Sequence, residues 1–343
     1  MRRAYIGVGL LLVALVVGIG AWRLADTREA NQAEFLMGTY MEITAIGRKA
    51  PVALEAVFAR LEEIESRMTQ NSETSEIAAV NAKAGVEPVA VSPDTFLVIE
   101  KALHYAELTD GKFDPTIQPI VRLWQIGSPE ARVPAPEEIA AKLPAISYQA
   151  VELDATNQTV WLTQPGMGLD LGGIAKGYAA DEAVAILREH GVKKALINLG
   201  GNIYALGTNP SNQPWRIGVQ DPEDERDQYI AVIEATDETL VTSGAYERFL
   251  KVDDTVYHHI LNPETGYPAD SDILSVTIIA KDSIDADALS TSVYILGREA
   301  GLALVNSLNN IETVIIDKER RVFASAGVRD RLTIVDPKFV LMP

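Results

Sequence analysis

The order of strand-like and helix-like segments is the feature that most restricts the fold of this chain. An alternating segment, Met37 through Ile46, is typical of a strand and precedes an amphipathic helix over residues 51–70. Later segments mix both types without the regular strand–helix repeat of a doubly wound parallel sheet. We therefore expect an α+β fold, with no domain break inside residues 35–340.

Composition restricts the classes of partner and chemistry. Hydrophobic residues make up 47% of the 343 residues, which predicts a well-packed core. The formal net charge of −18 argues against nucleic-acid binding, because phosphate backbones are bound by an excess of lysine and arginine. The chain has no cysteine, so disulfides, thiolate metal sites and thiol nucleophiles are all excluded.

The N-terminal segment indicates that the chain is inserted into, or exported across, a membrane. Arg2 and Arg3 precede an apolar run over residues 4–22, and Arg23 follows it. This run fits either a signal-peptide core or a single membrane span, and we favour an uncleaved anchor over residues 1–30. The arginines indicate that the start of the chain stays in the cytoplasm and the remainder lies outside it. The polar residues 24–34 are interpreted as a short linker.

The segment "DLGGIAKG" contains a carboxylate, Asp170, then Gly172 and Gly173, and Lys176 just inside a predicted helix. Glycines before a helix leave backbone N–H groups uncovered, and such an end attracts anions. The spacing matches neither the P-loop nor the dinucleotide-binding glycine pattern. Spacing alone therefore leaves two interpretations open, a phosphate site or an ordinary tight turn with an exposed lysine.

The segment "SIDADALSTSVY" places Asp287 and Thr291 four residues apart, on one face of a predicted helix. A carboxylate and a hydroxyl suit Mg²⁺, which takes few protein ligands and is completed by carbonyls, waters and phosphates. Asp285 is a further carboxylate nearby. The alternative is that these acidic residues only stabilise the first turn of the helix.

The segment "YHHILNPETGYP" contains His258 and His259 at the end of a strand. Adjacent side chains on a strand point in opposite directions, so one histidine could face the core and the other a site. Histidine is well suited to proton transfer near neutral pH. The alternative is a polar pair at a strand edge.

Taken together, the ordered motifs resemble those of the ApbE family, whose members are FAD:protein FMN transferases. The resemblance runs from about Met37 to the final strands. It implies a single domain over residues 33–343, built of mixed, mostly antiparallel sheets with packed helices. The motifs are "MGTYMEI", "GKFDPTIQPIVRLW", "DLGGIAKGYAADEA", "INLGGNI", "TSGAYERF", "HHILNPETGYPA" and "DADALSTSVYILG".

The resemblance implies a set of site residues. Mg²⁺ would be held by the carbonyl of Gly173 and the side chains of Asp287 and Thr291, and His259 is the candidate base. Some relatives carry a second carboxylate just before the threonine, where this chain has Ser290. The implied FAD contacts are Met37, Lys112, Phe113, Asp114, Asp170, Lys176 and Leu261.

The implied reaction is the Mg²⁺-dependent transfer of FMN from FAD to a Thr or Ser hydroxyl of a partner flavoprotein, with release of AMP. Usual partners are electron-transport membrane subunits and extracellular flavoproteins, which implies a catalytic domain on the extracytoplasmic (periplasmic) side of the cytoplasmic membrane. Asn71 stands where the family often has a tyrosine able to stack on the flavin. Two alternatives stay open: an FAD pyrophosphatase that gives FMN and AMP, and a non-catalytic flavin-binding protein.

Overall fold

The computed structural model describes residues 28–223 and 228–343. The predicted N-terminal anchor, residues 1–30, lies almost entirely outside these residues. Within the described ranges, no helix is both long enough and apolar enough to cross a membrane.

Helices and strands alternate irregularly along the chain, as the sequence predicts. The α-helices are α1 (Ala50–Met68), α2 (Glu76–Ala82), α3 (Pro93–Leu108), α4 (Gln118–Trp124), α5 (Pro136–Lys142), α6 (Ala175–Glu189), α7 (Ser283–Leu296), α8 (Arg298–Ser307) and α9 (Ala326–Arg329). Short 3₁₀ helices span Pro115–Ile117, Leu143–Ala145 and Tyr148–Ala150.

The strands are short and almost all antiparallel. They are β1 (Glu29–Leu36), β2 (Thr39–Ile46), β3 (Val89–Ala90), β4 (Val151–Asp154), β5 (Thr159–Leu162), β6 (Lys194–Leu199), β7 (Asn202–Leu206), β8 (Trp215–Gln220), β9 (Tyr229–Ala235), β10 (Glu238–Gly244), β11 (Phe249–Val252), β12 (Thr255–His258), β13 (Ile273–Ala280), β14 (Glu312–Asp317), β15 (Arg321–Ala324), β16 (Leu332–Ile334) and β17 (Val340–Leu341).

A nine-stranded sheet forms the centre of the fold. Its strand order is β1-β2-β6-β7-β10-β13-β14-β15-β17, and only the β15–β17 pair is parallel. Three smaller sheets have the orders β16-β9-β8, β3-β5-β4 and β11-β12. The predicted α+β class with mostly antiparallel sheets is therefore confirmed.

Each face of the central sheet is covered by a separate apolar core. On one face, Ile43 and Ile278 of the sheet pack in one cluster with Leu61 of α1 and with buried residues of α3, α6 and α7. On the other face, Leu240 and Ile316 pack against the β16-β9-β8 sheet. Burial on both faces accounts for the largely apolar sequences of β13 and β14.

The first strand corrects one interpretation of the sequence. Residues 24–34 were expected to form a linker, but residues 29–36 form β1, which pairs along its length with β2. β1 is an edge strand with no neighbour on its other side in the sheet. Its exposed positions are the polar Glu29 and Asn31 and the aromatic Phe35, so they follow no regular pattern. An edge strand therefore lacks the apolar alternation by which strands are recognised in a sequence.

Helices α6 and α7 approach each other backbone to backbone at Gly177. A Cβ on Gly177 would lie 2.3 Å from the carbonyl oxygen of Ser283, so only glycine fits there without displacement of one helix. The Asp181 carboxylate of α6 accepts hydrogen bonds from the N–H groups of Ser283 (2.8 Å) and Ile284 (2.9 Å) at the start of α7. Burial raises the pKa of Asp181 to about 7. These contacts fix the first turns of α7 against α6.

Replacement of Gly177 by alanine tests this crossing. The added methyl group would force the two helices apart, so we expect Gly177→Ala to lower the free energy of unfolding by about 1–3 kcal/mol, despite the higher helix propensity of alanine. Urea unfolding of the full chain in mild detergent, followed by circular dichroism, measures this change. Ala185→Ser, on the exposed side of the same helix, is the control and should change stability little. Equal stability of Gly177→Ala and the native chain would contradict the close approach.

Candidate active site

Asp170 lies in the loop before α6, where its carboxylate organises the backbone. Its Oδ1 accepts a hydrogen bond from the Gly172 N–H at 2.7 Å, and its Oδ2 accepts one from Gln70 Nε2 at 2.6 Å. Burial raises the pKa of this carboxyl group, and the two hydrogen bonds oppose that shift. Gln70 was not predicted as a site residue, because nothing local in the sequence links it to a loop one hundred residues away.

The start of α6 is less open than a helix end that binds an anion through its N–H groups, which was one of the two interpretations that the sequence left open. The Gly172 N–H is used by Asp170, and the Gly177 N–H donates to Asp287 Oδ2 at 2.9 Å. The Ala175 N–H donates to the carbonyl of Leu171. Several of the expected free N–H groups therefore already have partners, and the attraction for an anion depends more on the Lys176 side chain.

Lys176 lies between the starts of α6 and α7. Its ammonium group donates to the Gly172 carbonyl at 3.2 Å and is 3.6 Å from Asp287 Oδ1. The side chain is mostly buried, with 19% of its surface exposed, so this charge is screened less than a fully exposed one. The structure thus brings Asp287 together with Lys176 and the Asp170 loop, which are far from Asp287 in sequence.

The predicted metal ligands also meet at this point. Asp287 is buried, and a Cβ on Gly173 would lie 3.5 Å from Thr291 Oγ1, so Gly173 and the Thr291 hydroxyl are close neighbours. Thr291 Oγ1 makes no hydrogen bond within the part of the chain that the structure describes. A buried carboxylate, a free hydroxyl and a nearby peptide carbonyl form an all-oxygen donor set that suits Mg²⁺.

Two neighbouring residues are engaged elsewhere. Ser290, at the position where some relatives have a carboxylate, forms hydrogen bonds with Ser243 Oγ (2.8 Å) and the Asp287 carbonyl (2.9 Å). Asp285 pairs with Lys101 at 2.9 Å instead of facing Thr291, so it is not a reserve ligand. No cluster of three or more His, Asp or Glu side chains suited to a metal occurs in residues 28–223 and 228–343. A cation bound here would rely on a single carboxylate.

The two adjacent histidines have different environments. His258 Nε2 bonds to the Ala269 carbonyl at 3.1 Å, and its ring packs edge-on against Tyr294 on the core side. His259 is half-buried, and its Nδ1 is 3.2 Å from the Arg248 carbonyl. Because a carbonyl only accepts, His259 Nδ1 carries the proton and Nε2 is left free to accept one. Burial, and then the positive charge of Arg248, lower the pKa of His259 to about 4.

Met37 occupies the turn between β1 and β2 in a left-handed conformation, with φ of 50°. Its N–H donates to Glu65 Oε1 of α1 at 2.8 Å, which holds this strained turn in place. Glu65 is a second residue that the sequence did not reveal. Asn71, in the loop after α1, is exposed, and its neighbour Gln70 contacts Asp170.

The segment before the first 3₁₀ helix has mainly structural contacts. The Phe113 ring lies 3.1 Å from the Cβ position of Gly173 and so supports the Gly173 backbone. Both oxygens of the buried Asp114 carboxylate are used, by the N–H and hydroxyl of Thr116 and by the N–H of Tyr148. Any contact of Asp114 with a ligand would compete with these hydrogen bonds.

Lys112 and Leu261 lie beside the "NPETGYP" loop. Lys112 pairs with Glu264 at 2.6 Å, and Leu261 is buried in a small apolar cluster with Ile120 and Trp124. No hydrogen bond or ion pair joins either residue to the Gly173, Asp287 and Thr291 group within the described residues. Their observed partners thus lie at the periphery of the candidate site.

Comparisons with known proteins identify the family of this chain. The sequence model of the ApbE family matches residues 37–315, which includes every candidate site residue. This chain belongs to the ApbE family. The FAD:protein FMN transferase of Treponema pallidum is 38% identical to it, over 96% of this chain and 96% of the relative. The FAD:protein FMN transferase of Klebsiella pneumoniae is 37% identical, over 91% of this chain and 97% of the relative.

Solved ApbE structures have the same fold. The ApbE protein of Thermotoga maritima matches with a TM-score of 0.79 and 35% identity, over 85% of this chain and 95% of that protein. The flavin transferase ApbE of Vibrio cholerae matches with a TM-score of 0.79 and 29% identity, over 89% of this chain and 99% of that protein. This ApbE-family chain is therefore an enzyme of the transferase class.

The low pKa of His259 gives a pH-dependent effect on stability. In the unfolded chain the ring takes up a proton below its ordinary pKa of 6.5, whereas in the folded chain it stays neutral down to about pH 4. The unfolded state thus binds more protons in this interval, and stability falls as the pH falls from 6.5 to 4. We expect the free energy of unfolding of His259→Asn to fall by about 1 kcal/mol less than that of the native chain over this interval. This value allows for the partial exposure of the ring, which weakens the effect.

Urea unfolding at several pH values between 4.5 and 7 measures this difference. Asparagine keeps an N–H group that can donate to the Arg248 carbonyl, so the comparison isolates the titration of the ring. Parallel pH profiles for the two proteins would contradict the low pKa of His259.

Proposed function

We propose that this chain is a Mg²⁺-dependent FAD:protein FMN transferase, which moves FMN from FAD to a Thr or Ser hydroxyl of a partner flavoprotein and releases AMP. The observation that carries the proposal is the meeting of the buried Asp287 carboxylate, the free Thr291 hydroxyl and the Lys176 ammonium beside the Gly173 backbone. The names of the curated relatives support the same activity.

The side chains of Asp287 and Thr291 and the carbonyl of Gly173 would hold Mg²⁺. A bound Mg²⁺ neutralises phosphate oxygens and orients them for displacement. Lys176 supplies a permanent positive charge next to this position, so it can bind an oxygen of the FAD pyrophosphate. The Asp170 loop and the left-handed Met37 turn would shape the flavin-binding side, as the family resemblance implies.

The reaction itself requires one proton acceptor and one leaving group. The acceptor hydroxyl oxygen attacks the FMN-side phosphorus, and a new phosphoester bond forms as the bond from that phosphorus to the bridging oxygen breaks. AMP departs with the bridging oxygen, and the hydroxyl proton passes to Nε2 of His259. His259 is suited to this role because its Nδ1–H is held by the Arg248 carbonyl and the ring is neutral at physiological pH.

A second activity, hydrolysis of FAD to FMN and AMP, is favoured by Asn71. Asn71 is exposed and offers no aromatic face at the position where the family often has tyrosine. A more open flavin side would let water reach the phosphorus in place of the acceptor hydroxyl. A non-catalytic flavin-binding function is the less favoured alternative, because binding alone requires no buried carboxylate at the pyrophosphate.

We also propose that the N-terminal segment anchors the enzyme and that the catalytic domain lies on the extracytoplasmic (periplasmic) side of the cytoplasmic membrane. The support is the apolar run of residues 4–22 with arginines before it. The acceptor would then be an electron-transport membrane subunit or an extracellular flavoprotein.

Mass spectrometry of the acceptor tests the proposed transfer. The full chain in mild detergent is mixed with FAD, Mg²⁺ and an acceptor domain that carries a flavinylation threonine, and we expect an FMN-sized mass increase that disappears with EDTA. We expect Asp287→Asn to slow the transfer at least about 100-fold, because it removes the only carboxylate among the three proposed metal ligands. Glu264→Gln, which alters a carboxylate at the periphery, is the control. Unmodified acceptor with intact, tightly held FAD would indicate a binding protein.

Asn71→Tyr tests the origin of the hydrolytic activity. A tyrosine ring stacked on the flavin should tighten FAD binding about ten-fold and reduce the release of FMN and AMP without acceptor. Chromatography of the nucleotides measures the release, with Asn71→Ala as the control that adds no aromatic face. Unchanged hydrolysis in Asn71→Tyr would show that this position does not govern access of water.

A further inference from the structure

Arg248 lies directly before β11 and connects His259 to the turn between β1 and β2. Its backbone carbonyl accepts from the His259 N–H at 3.0 Å and from the His259 ring. Its guanidinium Nη2 donates to the Gly38 carbonyl at 3.1 Å, beside Met37 in the turn between β1 and β2. The Cδ atom lies 3.4 Å from the Cβ position of Gly127, which limits the paths open to the side chain. The guanidinium is thus held in place at the site.

The guanidinium of Arg248 makes no ion pair in direct contact with any described residue. Within residues 28–223 and 228–343, no acidic side chain is within ion-pair distance of this guanidinium, and its one hydrogen bond goes to a neutral carbonyl. Some other surface arginines, such as Arg132 with Glu138 and Arg188 with Asp237, are paired. Most N–H donors of Arg248 therefore stay available to a ligand.

The electrostatic effects of Arg248 and Lys176 converge on the same groups. Both positive charges lower the pKa of His259, and both oppose the raised pKa of Asp170. The two cations therefore both lie near His259 and Asp170, and the main chain of Arg248 is bonded directly to His259. A phosphate whose phosphorus is attacked by a hydroxyl bonded to His259 would be close to both positive charges.

We propose that Arg248 is a catalytic residue that binds the oxygens of the transferred, FMN-side phosphate. This inference rests on the proposed function. As the new phosphoester forms and the bond to AMP breaks, charge on those oxygens is stabilised by the fixed guanidinium fork, which matches phosphate geometry. One residue then fixes the base through its carbonyl and the phosphate through its side chain, so the proton acceptor and the reacting phosphorus keep a constant separation.

Variants of Arg248 in the full chain distinguish the effect of its positive charge from the effect of its hydrogen bond to Gly38. All of them keep the backbone carbonyl that holds His259. Arg248→Gln retains an N–H donor for the Gly38 carbonyl but loses the charge, Arg248→Lys retains the charge, and Arg248→Ala retains neither. Arg188→Ala, a surface arginine on α6, is the matched control and should behave as the native chain does.

We expect kcat for FMN transfer to fall about 100- to 1000-fold in both Arg248→Ala and Arg248→Gln, as for loss of one transition-state donor, with a smaller loss in Arg248→Lys. Free guanidinium ion at millimolar concentration should partly restore Arg248→Ala, while the Kd for FAD changes only a few-fold. Near-native kcat in Arg248→Gln would overturn the proposal, because only the contact with Gly38 would then matter.

A second measurement keeps this test independent of the proposed function. If the native chain forms neither flavinylated acceptor nor free FMN, the proposed function fails, and calorimetric titration with inorganic pyrophosphate in Mg²⁺ decides the role of Arg248. A Kd at least ten-fold weaker in Arg248→Gln than in Arg188→Ala supports a phosphate-binding guanidinium. Equal affinities would overturn it.

Discussion

Helices α6 and α7 meet backbone to backbone at Gly177, and the position of Asp287 depends on that contact. The Gly177 N–H bonds to one oxygen of the Asp287 carboxylate, which leaves the other oxygen near the Lys176 ammonium at 3.6 Å. A side chain at position 177 would separate the helices and move Asp287 away from Gly173 and Lys176. A packing constraint in the core therefore sets the geometry of the phosphate-binding side of the site.

Positive charge is concentrated locally in a chain whose net charge is −18. Burial is the main reason that the pKa of His259 is about 4, and the positive charges of Arg248 and Lys176 lower it further. The same cations that would bind the FAD pyrophosphate thus add to the effect of burial, which keeps the base unprotonated at physiological pH. Local charge, rather than the overall field of the protein, would allow this acidic enzyme to bind an anionic substrate.

The elements predicted from the sequence are those with a local signal, such as the amphipathic α1 and the helix that carries Asp287 and Thr291. The edge strand β1 was not predicted, because only its pairing with β2 makes it a strand. Among the site residues, Asp170, Lys176 and Asp287 were predicted from the family motifs. Gln70 and Glu65 act through contacts with Asp170 and the Met37 turn, which arise only when distant segments fold together. The partners that occupy the N–H groups at the start of α6 were hidden for the same reason.

In the proposed enzyme, one site holds both the metal and the FAD pyrophosphate. Crystals of the protein grown with FAD and Mn²⁺, a substitute for Mg²⁺ that scatters anomalously, would test this arrangement. We expect an anomalous peak in contact with the Gly173 carbonyl, the Asp287 carboxylate and the Thr291 hydroxyl, with a pyrophosphate oxygen beside Lys176. A metal bound elsewhere, or a pyrophosphate remote from Lys176 and His259, would contradict the arrangement.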